Sequence, residues 1–229
     1  MTSLAELPTP SLLLDRVRLD ANIDRMRRRL ARLGVPLRPH AKTAKCIEVI
    51  RLALHGQPGG ITVSTLAEAR AAAAAGIGDI LYAVGIVPAK LPEIAALRRG
   101  GTDLSIILDD PEAARAVAAF AAEEGTLPTL IEIDSDGHRA GLRPDDPRLI
   151  ETARILHHAG PGAFRGVMTH AGGSYDCRGE AELRAAARQE REALVAAAAR
   201  LETAGLPCPA RSAGSTPTAL FAESAEGLT

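Results

Sequence analysis

The sequence predicts an α/β chain whose repeated strand and helix units form a parallel barrel of the (β/α)8, TIM type, and three observations lead there. Short aliphatic and β-branched runs alternate with longer amphipathic runs at even spacing, the pattern of parallel strands joined by crossover helices. Glycine and proline fall between the runs, where turns and helix ends need them. Hydrophobic residues make up 46% of the 229 residues, enough to bury the core of one domain over 1–229.

The first run, SLLLD at 11–15, has no neighbour of its own kind and suggests a second sheet that is otherwise not visible. An amphipathic helix follows over 17–33, where Leu19, Ile23, Met26 and Leu30 recur at helical spacing, and Gly34 ends it. Strands are predicted at 35–41, 61–65, 79–84, 103–108, 129–134, 164–170 and 209–213. Helices are predicted at 44–55, 66–75, 89–99, 111–124, 146–159, 180–204 and 217–223. Asp110 before Pro111 reads as an N-cap, and Gly76 and Gly205 end the helices before them. AGIGD at 75–79 has a helix before it and a strand after it, the reverse of a dinucleotide-binding order, so it reads as a turn. Seven strands are present where a closed barrel needs eight, and an open barrel exposes an unpaired edge. The expectation is a barrel that lacks its last strand.

Lys and Arg total 27 against 28 Asp and Glu, a net charge of -1, which offers no basic surplus for nucleic acid or an anionic membrane. Aromatic residues are 2% of the chain, so base-stacking surfaces are excluded and Ala, Leu, Val and Ile must fill the core. The first ten residues lack the pattern of a secretory signal, and the alanine runs at 71–75 and 196–199 are short and flanked by charge. A cytoplasmic protein with a small-molecule partner is expected. Cys46, Cys177 and Cys208 are far apart and in no metal-binding cluster, so they read as ordinary thiols.

Lysine occurs only at 42, 45 and 90, which leaves three candidates for amine chemistry. Alternation along 35–42 puts Arg38, His40 and Lys42 on one face, near the C-terminal strand end where barrel enzymes keep their active sites. Partial desolvation among cations would lower the Lys42 pKa and favour the free amine that forms a Schiff base; a solvated rim lysine is the alternative. In AGSTPTA at 213–219, Gly214 permits close approach, Ser215 and Thr216 supply hydroxyls, and Pro217 leaves first-turn amides free for an anion, unless the segment is a plain N-cap. IEIDSDGHRAG at 131–141 is a strand followed by a polar turn. There Asp134 and Asp136 read as an ion-pair network with Arg139, and Arg139 is the stronger candidate for function. MTHAGGSYD at 168–176 ends a strand at His170 and carries Tyr175 in a glycine-rich loop, for packing or for chemistry. His157 and His158 sit on a predicted helix and read as surface residues.

TPSLLLD at 9–15, RPHAKTAK at 38–45, IDSDGHRAGL at 133–142, THAGGSYD at 169–176 and SAGSTPT at 212–218 span nearly the whole chain. Together, in this order, they resemble the D-threonine aldolase and D-serine dehydratase family, whose barrel is the alanine racemase N-terminal kind of fold-type III pyridoxal-phosphate enzymes. The resemblance implies pyridoxal 5'-phosphate, with Lys42 as its Schiff-base lysine and His40 beside it. Arg139 would approach the cofactor's phenolic oxygen and the substrate carboxylate, His170 would lie against the pyridine face, and Tyr175 would stand near the cofactor. Gly214, Ser215 and Thr216 match the phosphate-binding turn, with Thr218 next to them. The implied activity is that of a lyase on β-hydroxy D-amino acids, D-threonine aldolase-like, cleaving substrate to glycine and an aldehyde. D-serine dehydration, racemisation and a non-catalytic cofactor carrier are the alternatives. The family commonly has His where this chain has Ala44 and Gly173. Relatives continue with the last barrel strand and a C-terminal β domain that carries a His plus an Asp or Cys metal pair. A divalent metal is therefore expected of the family with its ligands outside this sequence, and a homodimer is expected at full length.

Overall fold

Six parallel strands stand side by side in chain order: β1 (Ile61–Val63), β2 (Asp79–Gly85), β3 (Asp103–Leu108), β4 (Thr129–Ile133), β5 (Phe164–Thr169) and β6 (Ala210–Ala213). The computed structural model describes residues 3–229. Helices α1 (Arg16–Leu33) and α2 (Ile47–Leu54) precede the sheet. Successive strands are joined by α3 (Leu66–Ala74), α4 (Leu91–Arg99), α5 (Pro111–Glu124), α6 (Arg148–His158) and α7 (Glu180–Thr203), and α8 (Thr216–Phe221) follows β6. Every neighbouring pair is parallel, so each connection must cross back along the sheet, and the sheet curls into a half-barrel with its helices outside.

Local chemistry explains the helix limits. Asp15 caps α1 by accepting the Arg18 amide at 3.0 Å, and Gly34 closes it at a φ of 73°. Asp110 accepts the Glu112 amide at 2.6 Å, with Pro111 as the first helical residue of α5. Alternation along the strands then divides the apolar residues in two. Ile61, Ile80, Ile106, Ile131 and Val167 point outward into the main core, where alanine-rich faces such as Ala69 and Ala72 of α3 and Ala197 and Ala198 of α7 let the helices come close. Leu81, Ile107, Leu130 and Met168 point inward and form a smaller apolar cluster on the concave side.

Three expectations need correction. The strand expected at 35–41 is reduced to one bridge, His40 with Thr62, supported by Ala41 N–H to Thr62 O at 2.8 Å and Thr62 N–H to Pro39 O at 2.9 Å. Pro36 and Pro39 have no N–H to give a ladder, so pairing starts late and ends at once. The run 11–15 pairs with nothing among the described residues, and Leu12, Leu13 and Leu14 are exposed. The helix expected from 44 begins at Ile47, because 41–44 form a turn and Lys45 takes a left-handed φ of 45°.

Gly166 shows how tightly the β5 to β6 pair is built. Its φ is 130°, and a β-carbon there would collide with the Ala210 carbonyl. Gly166→Ala is expected to lower the unfolding free energy by about 3 kcal/mol, measured by chemical denaturation. A loss below about 0.5 kcal/mol would mean that the strands part at no cost.

Candidate active site

Arg139, His170, Tyr175 and the Gly214 to Thr218 turn follow the C-terminal ends of β4, β5 and β6, while His40 and Lys42 follow the bridge beside β1. All line one cavity of about 750 Å³ on the concave side of the sheet, floored by Leu81, Leu130 and Met168. This volume lies within the range of ordinary cofactor sites. Met26, Leu30 and Leu33 of α1 close part of it with their apolar stripe.

Lys42 is the one lysine that lines this cavity. Lys45 Nζ stands 3.5 Å from Glu68 Oε1, and Lys90 Nζ stands 2.6 Å from the Tyr82 hydroxyl, on the side of the sheet that faces the helices. The desolvation expected for Lys42 is not found: it is exposed, because the turn 41–44 carries it beyond the single bridge.

The two imidazoles are held in opposite tautomers. His40 Nδ1 accepts the Lys42 amide at 3.2 Å, so Nε2 carries the proton and meets Ser64 Oγ at 3.2 Å. Burial first, and then the Lys42 charge, push the His40 pKa down to about 4. His170 Nδ1 meets the Gly214 carbonyl at 3.0 Å, and since a carbonyl can only accept, this nitrogen carries the proton. Burial also lowers the His170 pKa, with Arg139 and Lys42 adding to the effect against the opposing hydrogen bond to Gly214. Both rings are therefore neutral at pH 7. The Tyr175 ring lies 6.0 Å from that of His170, tilted by 39°.

The turn after β6 is a capping box. Ser215 Oγ accepts the Thr218 amide at 3.2 Å, and Thr218 Oγ1 accepts the Ser215 amide at 2.8 Å. Ser215 Oγ also lies 2.7 Å from Ser174 Oγ, which donates to the Ala171 carbonyl, so both the Ser215 and Thr218 hydroxyls are buried and engaged. Thr216 is the exposed hydroxyl of the turn.

Around Arg139 the expected ion pairs do not form among the described residues. Asp134 Oδ1 accepts the amides of Asp136 and Gly137, at 3.2 Å and 2.7 Å, and Asp136 Oδ2 accepts the Gly173 amide at 2.8 Å, so both carboxylates shape loops. The Arg139 stem lies over Gly172, where a β-carbon would meet Cγ at 2.8 Å and Cδ at 2.9 Å. Two buried acids of the cavity wall were missed. Glu132 is the single charge inside the apolar strand TLIEI, a signal that was present in the sequence. Glu190, which accepts the Ala171 amide at 2.7 Å, is one of many charges along α7 and carried no such signal.

Residues 14–229 match the family model described as alanine racemase, N-terminal domain. The chain is 48% identical to a D-threo-3-hydroxyaspartate dehydratase of Delftia sp. (strain HT23), over 99% of this chain and 60% of that protein. It is 30% identical to a D-serine dehydratase of Dictyostelium discoideum, over 92% of this chain and 56% of the relative. It is also 30% identical to a D-threonine aldolase of Arthrobacter sp., over 98% and 58%. The chain thus spans 56% to 60% of the length of these curated relatives. The solved structure of the Delftia dehydratase superposes with a TM-score of 0.97 at 47% identity, covering 100% of this chain and 61% of that one. A variant of the Delftia protein has been solved in a metal-free form.

The depressed His40 pKa has a sign that can be tested. The folded protein binds a proton at His40 less readily than the unfolded chain, so this group favours folding while neutral and adds stability as pH rises from about 4 to 6.5. NMR titration of the imidazole is expected to give a midpoint near 4. A midpoint at the ordinary histidine value would show that the ring is hydrated and not held by Ser64 and the Lys42 amide.

Proposed function

The chain belongs to the alanine racemase N-terminal-domain family of fold-type III pyridoxal-phosphate enzymes, and we propose that it forms the cofactor-binding part of a lyase acting on β-hydroxy D-amino acids. The observation that carries this reading is the meeting of Lys42 with Arg139, His170 and the Gly214 to Thr216 turn in one cavity. These groups lie far apart in the chain, and together they offer an amine, a guanidinium, ring-sized apolar surface and hydroxyls. That donor set fits pyridoxal phosphate: an aldehyde for Lys42, a phenolic oxygen for Arg139, an aromatic face for His170 and a phosphate for the turn at Thr216.

Pyridoxal phosphate, when bound, supplies the electron sink for a bond broken at the substrate Cα. The chain's own residues set the conditions around it. Lys42 would hold the cofactor covalently through its Nζ and, as a free amine, would hold or move a proton in the cavity. His40 stays neutral and adds no second positive charge beside that amine. Arg139 orients the substrate carboxylate. The described residues contain no group of three or more His, Cys, Asp or Glu side chains placed to hold a metal ion. No helix among them is long and apolar enough to cross a membrane.

Dehydration is the reading we favour over retro-aldol cleavage, because identity to the Delftia dehydratase is 48% against 30% to the Arthrobacter aldolase. With 3-hydroxy-D-aspartate, D-serine and D-threonine as substrates, the expected product is ammonia. Glycine with an aldehyde would move the assignment to an aldolase, and enantiomer exchange alone would move it to a racemase. Borohydride reduction of the cofactor-loaded protein, followed by peptide mapping, is expected to place the label on Lys42, and Lys42→Ala is expected to abolish turnover. Label on Lys45 with Lys42 unmodified would sink the site assignment.

A further inference from the structure

One charged side chain in the cavity wall has no part in the chemistry above. Glu132 lies on the inner face of β4, beside Met168 in the ladder and one inward position beyond Leu130, so a carboxyl group stands directly on the apolar floor. It is 6% exposed. Among the described residues no hydrogen bond or ion pair reaches it, because the amides of this region go to Asp109, Asp134 and Asp136. A buried carboxylate without a donor is costly unless a cation or a bound group offsets its lost hydration.

The charges that face Glu132 come from four directions. Asp109, after β3, and Asp134, at the end of β4, oppose its ionisation, whereas Arg139 in the loop after β4 favours it. His170 after β5, and His40 with Lys42 across the cavity, line the same space, and both rings are neutral. Arg139 is therefore the cation most strongly coupled to Glu132. Arg139 itself is exposed, rests its stem on Gly172 and forms no ion pair among the described residues.

We propose that Glu132 is the positioning residue for Arg139: its carboxylate draws the guanidinium toward the cavity and pairs with it when the cofactor excludes water. This rests on the reading of Arg139 as a cofactor contact. Loss of water strengthens the attraction between the two charges, so the pair forms where the ring must be gripped and not in the open cavity. Burial, with Asp109 and Asp134 acting against the opposing pull of Arg139, raises the Glu132 pKa to about 7. Pairing with the guanidinium favours the charged carboxylate and lowers that value in the complex, so binding must take a proton off Glu132 below about 7 and weakens as the pH falls below it.

Titrating the full chain with pyridoxal phosphate, followed by the visible absorption of the bound cofactor, tests this on either side of pH 7. The proteins compared are wild type, Glu132→Gln, Glu132→Asp, Arg139→Leu and the Glu132→Gln/Arg139→Leu double variant. On the alkaline side Glu132→Gln is expected to weaken binding about tenfold, and the double variant no more than Arg139→Leu alone. Wild type and Glu132→Asp should lose affinity on acidification more steeply than Glu132→Gln, in which only the pH dependence of the cofactor's own attachment remains. A tenfold loss from Glu132→Gln that persists in the Arg139→Leu background, or an unchanged pH profile in Glu132→Gln, overturns the inference while leaving the functional reading intact. Failure of wild type to bind pyridoxal phosphate overturns both.

Discussion

Parallel pairing from β1 to β6 sends all six strand ends in one direction, and every group of the cavity depends on that direction. Lys42, Arg139, His170 and Ser215 come from segments separated by long helices, yet each follows the C-terminal end of a strand or of the bridge beside β1. The ladder can hold this arrangement because its outer face is sealed. Isoleucine, leucine and valine on the strands meet alanine on the helices, and close approach takes the place of the aromatic bulk that the chain lacks. Alternation along the same strands leaves a second, smaller apolar cluster inside, and this becomes the floor on which the polar rim stands.

The rim gathers several cationic or protonatable groups in a small space, and its hydrogen bonds limit their charge. His40 gives up Nδ1 to the Lys42 amide and His170 commits Nδ1 to the Gly214 carbonyl, so each ring is fixed in one neutral tautomer. Lys42, beside β1, and Arg139, after β4, then bring positive charge to the rim, with Arg38, Arg165, Arg191 and Arg211 also in the cavity wall. The buried acids act in the same economy of charge. Glu132 stands free within the wall, and Glu190 ties α7 to the loop after β5 through the Ala171 amide while burial raises its pKa. The Ser174 and Ser215 hydroxyls link that loop to the turn after β6. The elements that would touch a ring and a phosphate are thus cross-braced before any ligand arrives, which is the condition for preorganised binding.

The order of strands and helices and the caps at Asp15 and Asp110 were legible in the sequence, since each rests on periodicity or on chemistry within a few residues. The motif order and a family resemblance added the site residues, and the fold brings all of them to one cavity. Other features needed contacts between distant segments. Pro36 and Pro39 were visible, but only the partner strand shows that their missing amides leave a single bridge. Asp134 and Asp136 looked like partners for Arg139, and three-dimensional proximity gives them to backbone amides instead. Glu190 disappears in sequence among the charges of α7, because exposure depends on what packs against a helix and not on the helix itself. The sequence by itself determined which residues could alternate, cap and react. Tertiary structure alone decided which of them are buried, which tautomer each histidine holds and which acid is left without a donor, because desolvation and hydrogen bonding are set by neighbours that the chain brings together only on folding.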